Sequence, residues 1–281
     1  MNLKISGVPE HFNLPWHLCL ENGYFQKAGL EVSWTDVPEG TGKLCQMLRE
    51  GETDVAVILT EGIIKDILAG NPSKIVQIYV QSPLIWGVHV AANSKFESIP
   101  DLENKVAAIS RNGSGSQLMA YVNADNQGWS KANLRFETVH TIDGAVEALT
   151  KGSADYFMWE RFMTKPLVDK GIFRRIDDCP TPWPCFVIAV RSEILENNSE
   201  IIETLLSVIN QKTSAFKQIP DIDVLLSRRY HQKQEDIQQW LALTQWSQAN
   251  FSEPVLNKIQ NQLADLGIIA KKGTFADIVH G

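Results

Sequence analysis

The chain has 281 residues, 44% of them hydrophobic and 21% charged, with 26 Lys and Arg against 33 Asp and Glu and a formal net charge of −7. That composition is ordinary for a folded globular chain and excludes a disordered, collagen-like or coiled-coil protein. An acidic balance without a basic stripe weighs against nucleic acid and anionic lipid as partners, and the longest apolar run, residues 185–190, falls far short of the roughly 20 residues of a membrane-spanning helix.

In chain order, short β-like runs alternate with helical patterns, the signature of an α/β architecture with mostly parallel strands. Residues 3–8 read as a strand, 16–27 as a helix closed by Gly29, 30–34 as a strand, 42–50 as a helix stopped by Gly51, and 54–59 as a buried strand. A helix at 62–68 and strands at 74–80 and 87–92 follow. The middle region repeats the scheme, with strands at 105–109, 134–139 and 155–159 and helices at 116–127, 144–151 and 162–170. Pro180, Pro182 and Pro184 interrupt the pattern before a strand at 185–190, and the rest reads as helices at 200–218, 222–231, 235–248 and 253–266.

One internal similarity organises the chain. Leu48-x-x-Gly51-x-x-Asp54 recurs 101 residues later as Leu149-x-x-Gly152-x-x-Asp155, each copy between a helix and a strand that ends near a glutamate, Glu61 or Glu160. Gly23-Tyr24 is faintly echoed by Gly128-Trp129. Two copies of one α/β unit predict two lobes: residues 1–88 with 191–281, and an inserted lobe of residues 89–190, with hinge crossings near 86–90 and 186–190. Ligands of open α/β sheets bind outside the carboxyl ends of the strands, so a cleft between two such lobes is the expected site.

The loops after the strands are therefore where chemistry is expected. Ser114 and Ser116 open a helix beside Arg111, offering hydroxyls, free backbone N–H groups and a cation to an acceptor. Glu39, Gly40 and Thr41 form the equivalent turn in the other lobe. Neither turn matches a nucleotide-binding fingerprint. Glu10, Glu39, Glu61 and Glu160 all fall on strand-end loops, a charge distribution suited to an amine, a neutral polar ring or a zwitterion rather than a dianion. Trp86, Trp159 and Trp183 offer aromatic faces to a planar ligand. No nucleophile elbow or metal-ligand spacing occurs, so no catalytic residue, metal or cofactor is expected. His89 reads as a buried, hydrogen-bonded histidine. Cys179 and Cys185 bracket Pro-Thr-Pro-Trp-Pro, a spacing that admits a disulfide, with separate thiols the preferred reading.

The runs Glu21-Asn-Gly-Tyr-Phe-Gln-Lys-Ala-Gly-Leu-Glu-Val32, Leu48-Arg-Glu-Gly-Glu-Thr-Asp-Val55, Ser98-Ile-Pro-Asp-Leu-Glu-Asn-Lys-Val106, Gly113-Ser-Gly-Ser116 and Ala148-Leu-Thr-Lys-Gly-Ser-Ala-Asp155 leading into Trp159 resemble the type II periplasmic binding protein family. The branch is that of the sulfonate, taurine, nitrate and thiamine-precursor binding components of ABC importers. The resemblance implies a two-lobed clamp that closes on a small molecule by hinge bending. It also implies ligand contacts from Glu10, His11 and Phe12, the turn at residues 40–42, Thr60, Glu61, Ser82, the loop at residues 114–116 and Trp159. Glu39 and Glu61 weigh against a sulfonate. The partners expected are a small-molecule ligand and an ABC permease, for a monomeric chain without a transmembrane segment. Its start lacks the apolar core of a secretory signal, which implies a cytoplasmic location as encoded, or a periplasmic or exported one after loss of a leader. Two further readings remain. One is a cytosolic enzyme on the same fold, of the thiamine-pyrimidine or menaquinone type, with Glu10, His11 or Glu160 as base. The other is a ligand-sensing module.

Overall fold

The computed structural model describes residues 2–280. Its strands are β1 (Asn2–Gly7), β2 (Glu31–Asp36), β3 (Val55–Leu59), β4 (Ser73–Val80), β5 (Ile85–Ala91), β6 (Val106–Ile109), β7 (Arg135–Thr138), β8 (Tyr156–Glu160), β9 (Phe173–Pro180) and β10 (Phe186–Arg191). Its helices are α1 (Leu14–Glu21), α2 (Tyr24–Lys27), α3 (Thr41–Glu50), α4 (Thr60–Leu68), α5 (Gly115–Gln127), α6 (Ile142–Lys151), α7 (Arg161–Asp169), α8 (Ser192–Ala215), α9 (Ile222–Tyr230), α10 (Gln234–Leu243), α11 (Glu253–Asp265) and α12 (Phe275–Ile278). No helix among the described residues is long and apolar enough to cross a membrane.

The chain divides into two compact units, Met1–Ser82 with Trp183–Gly281, and Pro83–Pro182. Unit one is built on a sheet of order β2-β1-β3-β10-β4 and unit two on a sheet of order β7-β6-β8-β5-β9. In unit one β1 runs parallel to β2 and β3, while β10 is antiparallel to β3 and β4. Unit two repeats the arrangement, with β6 parallel to β7 and β8 and β5 antiparallel to β8 and β9. Four of the five strands in each sheet share one direction, so the sheets are mostly parallel as expected, and each is made mixed by one reversed strand. The segments read as crossings, 86–90 and 186–190, lie inside β5 and β10. Each of those strands pairs along its length within one sheet, so the unit boundaries fall just before them.

The repeated motif has one structural meaning in both units. Gly51 and Gly152 end α3 and α6 in the left-handed conformation, at φ of 71° and 76°, where a side chain would be strained. Three residues on, Asp54 donates its N–H to Lys4 O at 2.8 Å and accepts the Lys4 N–H at Oδ2 at 2.9 Å. Asp155 does the same with Val106, at 2.8 Å in both directions. Each aspartate thus ties the entry of one strand to its parallel neighbour and satisfies backbone groups that precede the ladder. The similarity does not extend to the two glutamates. The same offset places Glu160 opposite Leu59; both stand at the N-cap position of the helix that follows, but only the Glu160 side chain caps it, and Glu61 lies two positions further on.

Three other features differ from the sequence reading. The helix read at 16–27 is broken at Gly23, whose φ of 65° separates α1 from α2. Strand β9 was not anticipated, because Arg174, Arg175, Asp177 and Asp178 give it the composition of a loop; as an edge strand it leaves those side chains accessible. The helix read at 235–248 stops at Leu243, beyond which Trp246 bridges Val80 and Ser247 N–H donates to Tyr79 O at 2.9 Å.

Candidate ligand-binding site

In unit one the head of α4 gathers several of the expected residues. Thr60 donates its backbone N–H to Cys185 O at 3.1 Å and its hydroxyl to Pro184 O at 2.6 Å. Glu61, only 4% exposed, accepts the Trp183 indole N–H at 2.8 Å. The segment leading into β10 is therefore fastened to the first turn of α4, where free backbone N–H groups and the helix dipole favour a carboxylate. Gly62 lets α3 and α4 approach, since a Cβ there would stand 2.3 Å from Thr41 Cγ2. Glu39 is exposed, and Gly40, at φ of 76°, precedes α3. Ser82 accepts the Gln245 N–H at 3.0 Å.

Burial pushes the Glu61 carboxyl up to about 7, against the opposing pull of its backbone hydrogen bond and the Trp183 N–H. Burial alone takes Glu10 to about 7 as well. Near neutral pH both groups divide between acid and carboxylate, so they are not the fixed charges that the sequence suggested.

The loop after β1 is enclosed by aromatic side chains. His11, 0% exposed, stacks on Trp240 at 4.1 Å and meets Phe12 edge-on at 5.1 Å. Neither ring nitrogen has a hydrogen-bond partner, and burial lowers its pKa to about 3, so the ring is neutral. Phe12 packs on Phe186 at 5.1 Å, and its carbonyl accepts from Tyr79 OH at 2.8 Å and Trp246 Nε1 at 3.2 Å. The physical reason is the C-terminal helices: α9 and α10 bring Tyr230 and Trp240 onto this loop. Enclosed in that stack and lowered to about 3, the imidazole is a weak base shut off from solvent, which disfavours the alternative role of His11 as general base.

In unit two the serine-rich loop is braced by its own hydroxyls. Ser114 Oγ accepts the Gln117 N–H at 3.4 Å as the α5 cap and lies 3.0 Å from Ser116 Oγ. Ser116 Oγ also accepts the Ser110 N–H at 2.9 Å, and the two side chains belong to residues 4% and 1% exposed. Their first task is to hold the turn, while Arg111 beside them is exposed. Trp86 and Trp159 come together from paired strands, ring centroids 6.0 Å apart and nearly perpendicular, and Trp159 stacks on Phe157 at 5.4 Å. The Trp86 indole N–H is buried without a partner, an exception to the rule that buried donors are satisfied. Glu160 Oε2 accepts the Met163 N–H at 2.7 Å and so caps α7. His89, between Thr164 Oγ1 at 2.9 Å and Phe157 O at 3.3 Å, is neutral, lowered to about 4 mainly by burial. Cys179 and Cys185 are buried thiols.

The structure thus brings together Thr41, Thr60, Glu61 and Trp183 in unit one, and Trp86 with Trp159 in unit two. It ties Ser82 to the C-terminal region and turns Glu160, Ser114 and Ser116 towards capping and bracing. Sequence reasoning placed Trp183 on a strand-end loop but did not connect it to Glu61. The link spans 122 positions and leaves no local pattern.

Residues 86–179 match the family model of the Ca3427-like periplasmic binding proteins. The chain is similar to the Candida albicans CA3427 gene product, described as defining a new family with the generic periplasmic binding protein fold, at 26% identity and a TM-score of 0.88 over 97% of this chain and 92% of that one. It is similar in fold to the alkanesulfonate-binding protein SsuA from Xanthomonas axonopodis pv. citri bound to MOPS, at 14% identity and a TM-score of 0.83 over 99% and 98% of the two chains. The aliphatic sulphonate binding protein SsuA from Escherichia coli gives 16% identity and a TM-score of 0.76 over 100% and 92%. Comparison with curated protein sequences found no match.

The fold and strand order define the class: an α/β chain with the type II periplasmic binding protein fold. Within that class it shares its architecture with the sulfonate-binding components, the branch expected from the sequence, and its second unit carries the Ca3427-like pattern.

Proposed function

We propose that this chain is a solute-binding protein for a small, planar, nitrogen-containing or zwitterionic molecule, serving as the substrate-binding component of an ABC-type importer. The observation that carries the ligand class is Glu61, a buried carboxyl at the head of α4 oriented by the Trp183 N–H. A carboxylate left alone in such a place is costly; a ligand ammonium or amidine-like N–H group pairs with it and draws its proton off. Binding rather than catalysis is supported by the enclosure of His11 and His89, both 0% exposed and made weak bases mainly by burial.

A thermal-shift panel of pyrimidines, amines, amino acids, sulfonates and nitrate tests the reading. A ligand at 100 times its Kd adds about 2.7 kcal/mol of stability. The expected hits are cationic or zwitterionic, and Glu61→Ala removes their effect. Stabilisation by sulfonates or nitrate alone would overturn the ligand class, and recovery of a chemically altered compound would overturn the binding-only reading.

A further inference from the structure

We infer that unit one carries a second small-molecule site, a groove between α2 and α8 that takes a small amphipathic anion, an aryl or alkyl carboxylate. The groove encloses about 510 Å³, within the roughly 300–1,000 Å³ of small-molecule pockets. Its apolar surface comes from Val208, Ala215 and Ile219, and its rim from Tyr24, Lys27 and Lys212. Tyr24 is 40% exposed, so its ring is open to a ligand in the groove.

Two cations converge on that ring. Lys27 Nζ lies 5.2 Å and Lys212 Nζ 4.6 Å from its centroid, so the ammonium groups stand no more than about 10 Å apart, within reach of each other's field at ordinary salt. Among the described residues neither has a carboxylate at ion-pair distance, and no acidic side chain lines the groove. On a chain of net charge −7 this is a local reversal of sign. The ring accommodates each cation and Lys27 Nζ also donates to Asn22 O at 3.4 Å, but among the described residues no carboxylate offsets their mutual repulsion. An anionic head seated by the two lysines relieves it, while an apolar body covers Tyr24 and the Val208–Ala215 surface. A dianion without an apolar body would leave that surface wet, and a neutral apolar molecule would leave the repulsion in place. None of these residues belongs to the Glu61 group, so the site stands independently of the function proposed above.

The test is calorimetric titration of 2-naphthoate, with 2-naphthalenemethanol as the neutral control, into the full chain and three variants: Lys212→Gln, Lys27→Gln with Lys212→Gln, and Glu61→Gln. Thermal unfolding verifies that each variant folds. Naphthoate is expected to bind saturably in the millimolar range or tighter, at least about fivefold better than the alcohol, and to lose about tenfold in the double lysine variant. Glu61→Gln is expected to leave its affinity within about twofold. Equal binding of the alcohol, unchanged binding in the double variant, loss of binding in Glu61→Gln alone, or no saturable binding each overturns the proposal.

Discussion

The Trp183 indole N–H donates to Glu61 at 2.8 Å across 122 positions of sequence, fixing a carboxyl whose pKa burial has raised to about 7. Because that value lies above the ordinary 4.5, the folded state holds the proton more tightly than the unfolded state. Its contribution to stability is therefore complete at acid pH and is lost as pH rises from about 4.5 to about 7. Glu61→Gln keeps an acceptor for Trp183 and has no charge to bury. Its stability relative to the parent should grow across that window by about 3 kcal/mol. Thermal unfolding between pH 5 and 8 measures this, and a difference flat in pH would contradict it.

His11 carries the opposite dependence. Its folded pKa, about 3, lies below the ordinary 6.5, so stability present at neutral pH is lost as pH falls below 6.5. His11→Phe keeps the stack on Trp240 and removes both unpartnered nitrogens. Its advantage over the parent should increase on acidification, reaching about 3 kcal/mol by pH 4.5. His11→Ala, by contrast, opens a cavity in the stack and should cost about 2–4 kcal/mol at neutral pH. Denaturant titrations at two pH values separate these outcomes.

The paired aspartates predict matched defects in the two units. Asp54→Ala strands the Lys4 N–H and Asp155→Ala the Val106 N–H, each at a cost of about 1–3 kcal/mol. Asp54 also faces Arg191 at 3.5 Å, so its loss should be the larger. Urea midpoints test both the size and the order, and a neutral effect at either position would argue against a structural repeat.

Gly62→Ala should destabilise the approach of α3 to α4 despite the better helix propensity of alanine, worth about 1 kcal/mol. The new Cβ would meet Thr41 Cγ2 at 2.3 Å. Replacing Thr41 by Ala in the same chain should restore stability, a coupling that a double-mutant cycle reads directly. Additive effects would contradict the contact.

Most strand positions and the repeat were legible because they rest on local chemistry: a glycine that must turn left-handed, an aspartate one strand entry away, alternating apolar runs. Gly51 with Asp54 and Gly152 with Asp155 state the same geometry twice. The antiparallel setting of β5 and β10 was not legible, since direction depends on where a strand arrives rather than on its composition. Strand β9 was hidden by its charged side chains. At the site, the sequence placed Glu61, Thr60 and Thr41 on strand-end loops, but not the enclosure of His11 by Trp240, 229 positions away. It also counted Glu10 and Glu61 as charges, where burial makes them titrate near neutrality.

In the proposed function Glu61 meets a positively charged group of a small solute. Calorimetric titration of the strongest thermal-shift ligand at pH 6.5, in buffers of different ionisation enthalpy, counts the protons exchanged on binding. Release of a substantial fraction of one proton per ligand is expected, because pairing lowers a carboxyl that titrates near 7, and Glu61→Gln should abolish the release. Proton uptake, or a release that survives in Glu61→Gln, would contradict it.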